Sequence, residues 1–228
     1  SLAINAVMTS FVANPVYCNG ENFDKLKQSL GIQQTKELLS YKYDSKSMFV
    51  AVNLTKVTDE RLISVFSAKG IDAVKTEYEG LVKINSAFDI EKSVEYKSGL
   101  FHVISLPSFI AARLVSPLEN ERIIDMCSAP GGKLFTMAYI CKDKACFKAF
   151  DMHDHKIENL KESCKRLSLK NITPLQKDCA EYDASLFESA DKILCDVPCS
   201  GFGIIRRKPE IRYNKSEDYK ALPSIQRK

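Results

Sequence analysis

Short apolar runs alternate with helical periodicity over the second half of the chain. The apolar runs begin near Arg122, Ala145, Ile172 and Lys192. The segment after the second run has apolar residues at helical spacing, which predicts a helix with one apolar face and one charged face. The apolar face consists of Ile157, Leu160, Cys164 and Leu167. Strands and helices that alternate in this way are typical of βα units that build a parallel sheet. The pattern therefore predicts an α/β domain.

The first half of the chain predicts a smaller α/β module. The predicted helices span residues 1–13, 23–30, 35–41 and 58–69, and the predicted strands span residues 48–53 and 81–84. Gly31 separates the second helix from the third. The fourth helix begins with Thr58 as its cap and is stopped by Gly70. We therefore predict a small domain over residues 1–95 and a larger domain over residues 96–228.

Composition indicates a folded protein of one or two domains. Of the 228 residues, 45% are hydrophobic and 27% are charged, which is enough apolar material for a core. The sequence has no apolar run of about eighteen residues and no secretory leader, so neither a membrane span nor export is expected. The eight cysteines follow no disulfide or zinc spacing and indicate reduced thiols in the cytoplasm, without a bound metal. A monomer is the favoured state.

Positive charge is concentrated near the C-terminal end of the chain. Residues 204–228 contain eight Lys or Arg and three Asp or Glu, an excess of five, whereas the net charge of the whole chain is +4. Three cations are consecutive, at Arg206, Arg207 and Lys208. Such a segment suits the phosphates of a nucleic acid. A solvated surface with flexible side chains explains the same charge equally well.

One apolar run ends in a loop that has the features of a ligand site. Residues 123–133 read Ile-Ile-Asp-Met-Cys-Ser-Ala-Pro-Gly-Gly-Lys, a buried strand that turns into a helix. Gly131 and Gly132 let a ligand approach the backbone, and the N–H groups that open the helix attract a carboxylate or phosphate. A P-loop would need Gly at Cys127 and Ser or Thr at Leu134, and a dinucleotide site would need a different glycine spacing.

A second polar position favours a ligand that contains ribose. Asp151 ends the apolar run that begins at Ala145, and it lies 20 residues after Gly131. An acidic side chain near this position accepts hydrogen bonds from ribose hydroxyls in related sheets. The two features together predict a ribose-bearing cofactor without a polyphosphate. The alternative is an ordinary strand-to-helix turn with a solvated Asp.

Two motifs carry a resemblance to a known family. Residues 125–133 read Asp-Met-Cys-Ser-Ala-Pro-Gly-Gly-Lys, and residues 196–203, which start 71 positions later, read Asp-Val-Pro-Cys-Ser-Gly-Phe-Gly. They resemble the two signature motifs of the RNA cytosine-5 methyltransferases, and most closely those of the bacterial Sun/Fmu branch, which acts on small-subunit ribosomal RNA. The resemblance covers residues 99–213. It implies a Rossmann-like core that depends on S-adenosylmethionine, preceded by a small domain that helps to hold RNA. The small domain has no aromatic base-stacking motif of the common RNA-binding type, so its residues alone fit a purely structural role equally well.

The resemblance implies roles for individual residues. The loop amides would hold the methionine carboxylate, Asp151 the ribose and Asp178 the adenine amine. Asp196 would hold the amino edge of the target base and face the sulfonium methyl. The implied cofactor-binding residues are Cys127, Ser128, Ala129, Pro130, Gly131, Gly132, Lys133, Asp151, Asp178 and Asp196. The cations expected at the RNA backbone are Arg206, Arg207 and Lys208.

One segment before the loop departs from the family. Family members usually carry a Gln followed by an acid where this chain has Ile104 and Ser105, so the role of that pair is unassigned here. His102 lies in the same segment with no acid or nucleophile patterned beside it. We predict that His102 is a partly buried surface histidine and not a catalytic base.

Cys199 has two candidate roles, one from its chemistry and one from the resemblance. Carbon 5 of cytosine is a weak nucleophile, so its methylation needs a thiolate that adds to carbon 6 and a base that removes the carbon 5 proton. From the residues alone, Cys199 is the candidate thiolate, since loop amides and Arg206 or Arg207 would lower its pKa. The resemblance implies instead that Cys199 acts in proton removal and product release. The nucleophile would then be a second cysteine, in a Thr-Cys-Ser motif on the next strand.

The Thr-Cys-Ser motif does not occur in the 228 residues. We therefore expect a chain truncated at its C-terminal end, with an incomplete sheet and no activity alone. The predicted function is methylation of cytosine carbon 5 in RNA, with ribosomal RNA as the substrate and with Cys199 and Asp196 as catalytic residues. One alternative is a non-catalytic RNA-binding or ribosome-assembly protein on the same scaffold. Another is a DNA-type cytosine methyltransferase that uses Cys199 as its nucleophile.

Overall fold

A computed structural model describes residues 20–40, 48–201, 204, 208–213 and 220–227. The chain divides into two compact units. One consists of the described parts of residues 1–44 and 198–228, and the other of residues 45–197. The helix predicted for residues 1–13 lies outside the described residues. Within the described ranges, no helix is long and apolar enough to cross a membrane.

The regular elements described in the smaller unit are helices. Gly20–Ser40 is helical but has a non-helical residue at Gly31 (φ 76°, ψ 164°), so the predicted break is confirmed. A 3₁₀ helix spans Pro209–Tyr213, and a short α-helix spans Leu222–Gln226. The packed side chains of this unit are Leu39 and Ile211, with Phe23, Leu26 and Leu38 against them.

The larger unit begins with a four-stranded antiparallel sheet. Its strands are β1 (Met48–Val52), β2 (Ala73–Lys75), β3 (Leu81–Ile84) and β4 (Phe101–Ile104), in the order β2-β3-β1-β4. Helix Asp59–Ser67 packs Leu62 and Phe66 into the core of this module. The Thr58 hydroxyl caps that helix by accepting a hydrogen bond from the Arg61 N–H, as the sequence predicts. A helical turn, Val94–Lys97, leads into β4.

The antiparallel sheet is larger than the sequence pattern predicts. Strands β2 and β4 were not expected, and β4 lies beyond the boundary predicted between residues 95 and 96. β4 pairs with β1 through partners such as Phe49 and Ile104, which are far apart in the sequence. Such a pairing leaves no local signal. The division into two domains at residue 95 stays a prediction.

The second sheet is parallel, as the alternating pattern predicts. Its strands are β5 (Arg122–Asp125), β6 (Cys146–Asp151), β7 (Ile172–Gln176) and β8 (Lys192–Leu194), in the order β7-β6-β5-β8. The helices around it span Leu106–Val115, Gly132–Ile140 and Asp154–Leu167, with a 3₁₀ turn at Ala184–Leu186. The predicted apolar face of the third helix is buried. The chain is thus a Rossmann-like α/β core preceded by a small α/β module.

Polar contacts join the two sheets within this unit. The side-chain amide of Asn53 donates to the carbonyls of Gly99 and Leu167, both at 2.9 Å. The Arg166 guanidinium donates to the Tyr96 carbonyl at 2.7 Å and lies 3.9 Å from the centre of the Tyr96 ring. These long-range hydrogen bonds, of which those of Asn53 are buried, hold the antiparallel sheet against helix Asp154–Leu167.

Candidate functional site

The loop after β5 lies where the strand order of the parallel sheet reverses. β5 is flanked by β6 on one side and by β8 on the other, so its carboxyl end opens into the crevice that binds ligands in sheets of this type. The Met126 N–H donates to the Leu194 carbonyl at 3.0 Å, and the Ser128 N–H donates to the Phe150 carbonyl at 2.8 Å. The loop is therefore tied to both neighbouring strands.

A tight turn follows, and it requires glycine. The Gly131 N–H donates to the Ser128 carbonyl at 2.7 Å, and Gly131 has φ +102°. A Cβ atom at this position would lie 2.4 Å from the Phe135 ring and 2.8 Å from Leu160. Because L-residues rarely adopt this φ and no room exists for a side chain, only glycine fits.

Helix Gly132–Ile140 starts directly after this turn. Gly131 is its N-cap and makes no side-chain capping hydrogen bond. The first N–H groups of an α-helix lack acceptors within the helix, and they carry the positive end of its dipole. The turn therefore presents backbone donors to an anionic ligand, which is the geometry that the sequence predicts for this loop.

Asp125 is a buried acid for which the sequence pattern predicts no role. It is the last residue of β5, its side chain is 2% exposed, and its Oδ1 atom has no hydrogen-bond partner among the described residues. Burial raises the pKa of this carboxyl to about 7, although the backbone of Cys127 and the Ser128 side chain act against the rise. A buried acceptor with a free oxygen suits a ligand that donates a hydrogen bond.

Asp151 lies at the end of β6, as predicted, and is buried. Its carboxylate accepts from the His153 N–H at 3.1 Å and pairs with Lys156 Nζ at 3.3 Å. The pKa of the Cys127 thiol is raised to about 11, mainly by burial and then by nearby Cys179. The charge of Asp151 contributes to the same rise. Cys127 is therefore a protonated thiol beside Asp151 and is unsuited to act as a nucleophile.

Asp178 lies just after β7 and is exposed. Its carboxylate accepts from the Ala180 N–H at 2.9 Å, which shapes the turn that follows. The Lys177 N–H donates to the Asp151 carbonyl at 3.0 Å, so the backbone before Asp178 is fixed to the end of β6. The structure thus brings Asp178 to the same edge of the sheet as Asp151.

Lys133 and Asp196 form an ion pair across this edge. Lys133 follows the two glycines, and Asp196 follows β8, so the contact joins the first predicted motif to the start of the second. The Lys133 side chain is 22% exposed and the Asp196 side chain is 53% exposed. The Asp196 carboxylate therefore stays accessible to a ligand while a cation orients it.

The remaining predicted residues are not part of the larger unit. Cys199 and Lys208 belong to the smaller compact unit, and both are exposed. Arg206 and Arg207 lie outside the described residues. Among the residues that the structure does describe, no group of three His, Cys, Asp or Glu side chains is suited to a metal ion. A cavity of about 400 Å³ near the amino ends of the parallel strands is lined by none of the predicted site residues.

Comparison with known proteins gives a family match that includes both motifs. The family described as 16S rRNA methyltransferase RsmB/F matches residues 112–228. A probable ribosomal RNA small subunit methyltransferase B from Bacillus subtilis is 36% identical over 179 residues, which cover 77% of this chain and 40% of the relative. A tRNA (cytosine(72)-C(5))-methyltransferase from Pyrococcus horikoshii is 28% identical over 161 residues, which cover 71% of this chain and 39% of the relative.

A solved structure supports the fold. The crystal structure of NSun6 from Pyrococcus horikoshii with SFG superposes with a TM-score of 0.77 at 18% identity and covers 91% of this chain and 77% of that chain. At this level of identity the likeness concerns the fold alone. The chain spans about 40% of the length of the curated relatives named above.

Proposed function

Because the chain belongs to the 16S rRNA methyltransferase RsmB/F family, we propose that the protein methylates carbon 5 of a cytosine in RNA with S-adenosylmethionine as the methyl donor. Ribosomal RNA is the proposed substrate class. The observation that carries the proposal is the ion pair between Lys133 and Asp196, because it joins the loop proposed for the cofactor to the segment proposed for the target base.

The residues at the sheet edge fit this cofactor. S-adenosylmethionine presents a carboxylate, an ammonium group and two ribose hydroxyls. The amides that open helix Gly132–Ile140 suit the carboxylate, and Asp151 suits the ribose. The free oxygen of buried Asp125 suits a hydrogen-bond donor such as the ammonium group. When bound, the cofactor supplies an electrophilic methyl group on its sulfonium.

Each residue of the proposed site has one task. The backbone of residues 127–133 binds the amino-acid end of the cofactor, with Gly131 providing the turn. Asp151 holds the ribose, and exposed Asp178 accepts from the adenine amine. Asp196, oriented by Lys133, accepts from the amino group of the target cytosine. These assignments follow the positions of the side chains at one edge of the sheet and the resemblance of the two motifs.

The reaction needs a thiolate, and the proposal assigns Cys199 to its last step. A cysteine thiolate adds to carbon 6, carbon 5 then takes the methyl group, and a base removes the carbon 5 proton so that the cysteine leaves. In the proposed mechanism the attacking cysteine is a second one, and Cys199 assists proton removal and release. A DNA-type mechanism would make Cys199 the attacking residue.

Methyl transfer by the full-length protein to ribosomal RNA tests the proposal. We expect 5-methylcytidine in the nucleosides of the treated RNA, detected by mass spectrometry. RNA that binds tightly but gains no methyl group would support a non-catalytic RNA-binding protein instead.

Substitution of Cys199 then separates the two enzymatic mechanisms. Cys199→Ala should leave the covalent RNA–protein adduct intact, since release and not attack is impaired. Loss of the adduct would identify Cys199 as the nucleophile. Cys146→Ala, at an exposed cysteine at the start of β6, is the matched control and should behave as the unsubstituted protein does.

Arg206, Arg207 and Lys208 contact the RNA backbone through charge, and no metal takes part. The protein acts as a monomer in the cytoplasm. The support for RNA contact is the local excess of five positive charges in residues 204–228.

A further inference from the structure

His102 connects the antiparallel sheet to the loop proposed for the cofactor. It lies on β4, where its backbone is the partner of Ala51 in β1. Its ring is 5% exposed, so the prediction of a partly buried surface histidine is wrong. The ring Nε2 atom lies 3.0 Å from the carbonyl oxygen of Gly132, and the Nδ1 atom lies 3.2 Å from the hydroxyl of Tyr139.

The hydrogen-bond partners of the His102 ring show which of its two nitrogen atoms carries the hydrogen. A carbonyl oxygen only accepts, so the hydrogen of the neutral ring lies on Nε2 and is donated to Gly132. Nδ1 is then an acceptor for the Tyr139 hydroxyl. The pKa of His102 is lowered to about 3, mainly by burial; the hydrogen bond to the Gly132 carbonyl opposes this shift, and the charge of Arg166 makes a smaller contribution in the same direction as burial. The ring is therefore neutral at any physiological pH.

The surrounding side chains hold the ring in one orientation. The His102 ring centre lies 5.7 Å from that of Phe135 and 5.3 Å from that of Tyr139. Phe135 is also the side chain that leaves no room for a Cβ atom on Gly131. The Thr136 hydroxyl donates to the same Gly132 carbonyl at 2.8 Å. Phe135 therefore contacts both the turn at Gly131 and the ring of His102.

We propose that His102 is a positioning residue that fixes the peptide between Gly132 and Lys133. That peptide carries the Gly132 carbonyl on one side and the Lys133 N–H on the other, so a donor that holds the carbonyl also sets the direction of the N–H. The Lys133 N–H is among the helix-opening donors proposed for the methionine carboxylate. The inference rests on the proposed function, and it adds that a side chain from the antiparallel sheet determines how well the carboxylate is held.

Ligands with and without the amino-acid end separate this role from a general structural one. We would measure binding of S-adenosylhomocysteine, which has the carboxylate, and of 5′-methylthioadenosine, which lacks it, by calorimetry on the full chain. His102→Leu removes the donor and should weaken binding of S-adenosylhomocysteine by about 10-fold or more, the scale of a hydrogen bond to a charged group. Binding of methylthioadenosine should change by less than about 3-fold, since the adenosine contacts lie elsewhere.

A conservative variant provides the matched control. In His102→Gln, the side-chain Nε2 lies the same number of bonds from the backbone as the histidine Nε2, so it can donate to the Gly132 carbonyl. We expect His102→Gln to restore most of the affinity for S-adenosylhomocysteine. Equal losses for both ligands, or no loss in His102→Leu, would overturn the positioning role. If the unsubstituted chain binds neither ligand, the proposed function fails and the inference fails with it.

A second measurement applies even where a variant does not fold. The ¹⁵N spectrum of the unsubstituted chain should show His102 as the neutral form with hydrogen on Nε2, unchanged between pH 5 and pH 8. A ring with hydrogen on Nδ1, or one that titrates in this range, would contradict the donation to Gly132 and overturn the inference.

Discussion

The Lys133 ammonium group pairs with the Asp196 carboxylate, and the two residues are 63 positions apart in the sequence. The contact forms because β5 and β8 are neighbours in the parallel sheet, so the segments after them meet at one edge. Asp196 is more than half exposed, and exposed ion pairs contribute only about 0–1 kcal/mol to stability. We therefore expect the arrangement to matter more for ligand orientation than for folding.

Asp196→Asn should separate activity from stability. The amide carries no charge to pair with Lys133 and replaces one of the two acceptor oxygens by a donor, so we expect methyl transfer to fall by about 100-fold or more. The free energy of unfolding should change by less than about 1 kcal/mol. Glu119→Gln, in the exposed pair of Glu119 with Lys144, is the matched control and should leave methyl transfer unchanged. Full activity in Asp196→Asn would contradict the role given to this residue.

Gly131→Ala should destabilise the protein. The alanine would have to adopt φ +102°, and its Cβ atom would displace Phe135 and Leu160. Backbone strain and overpacking together should lower the free energy of unfolding by about 2–4 kcal/mol. Denaturant unfolding followed by circular dichroism measures the difference.

The neighbouring glycine provides the control for this substitution. At Gly132, a Cβ atom would have only Ile104 nearby, at 3.9 Å, and the backbone is helical. Gly132→Ala should therefore change the free energy of unfolding by less than about 1 kcal/mol. Similar losses for both substitutions would show that the turn at Gly131 is not the constraint.

Asp125 should make stability depend on pH. Its pKa is about 7 in the folded chain, because of burial, and near 3.8 when unfolded. Between these values the folded state binds the extra proton, so stability is greatest below the unfolded pKa and falls as pH rises toward 7. The slope is about 1.4 kcal/mol per pH unit at most.

Asp125→Asn removes this dependence, since the amide does not ionise. The difference in unfolding free energy between Asp125→Asn and the unsubstituted chain should grow from pH 4 to pH 7 and then level off. Denaturant titrations at a series of pH values measure it. A constant difference over the whole range would mean that Asp125 has an ordinary pKa in the folded chain.

Arg206 and Arg207 should contribute to RNA affinity through charge alone. Each cation that neutralises a phosphate of single-stranded RNA adds about 0.7 to the slope of log affinity against log salt. Replacing both residues by Ala should reduce that slope by about 1.4. Lys161→Ala with Lys165→Ala, on the exposed face of helix Asp154–Leu167, is the control and should leave the slope unchanged. An unchanged slope in the first variant would remove these residues from the RNA surface.

The parallel sheet and its loop were predictable from local patterns. Each strand is a short apolar run, and the observed starts at Arg122, Cys146, Ile172 and Lys192 lie within one residue of the predicted ones. The turn was predictable because two glycines after a buried strand have few structural explanations other than a close approach to the backbone.

The contacts that set the polar chemistry were not predictable in this way. The pairing of β4 with β1 depends on residues far apart in the sequence. Strand β2 pairs with the nearby β3, but its three residues are too few to give a clear pattern. Asp125 resembles any residue at a strand end until its burial is known. His102 has no partner nearby in the sequence, because Gly132 and Tyr139 reach it only after the two sheets have packed together.

The most direct test of the proposed function is the release of tritium from RNA that carries tritium at carbon 5 of cytosine. Substitution of that position by a methyl group expels the label into water. We expect the full-length protein to release tritium in proportion to added S-adenosylmethionine, with one methyl group gained per tritium lost. RNA that gains methyl groups without losing tritium would place the modification on another atom and contradict the account.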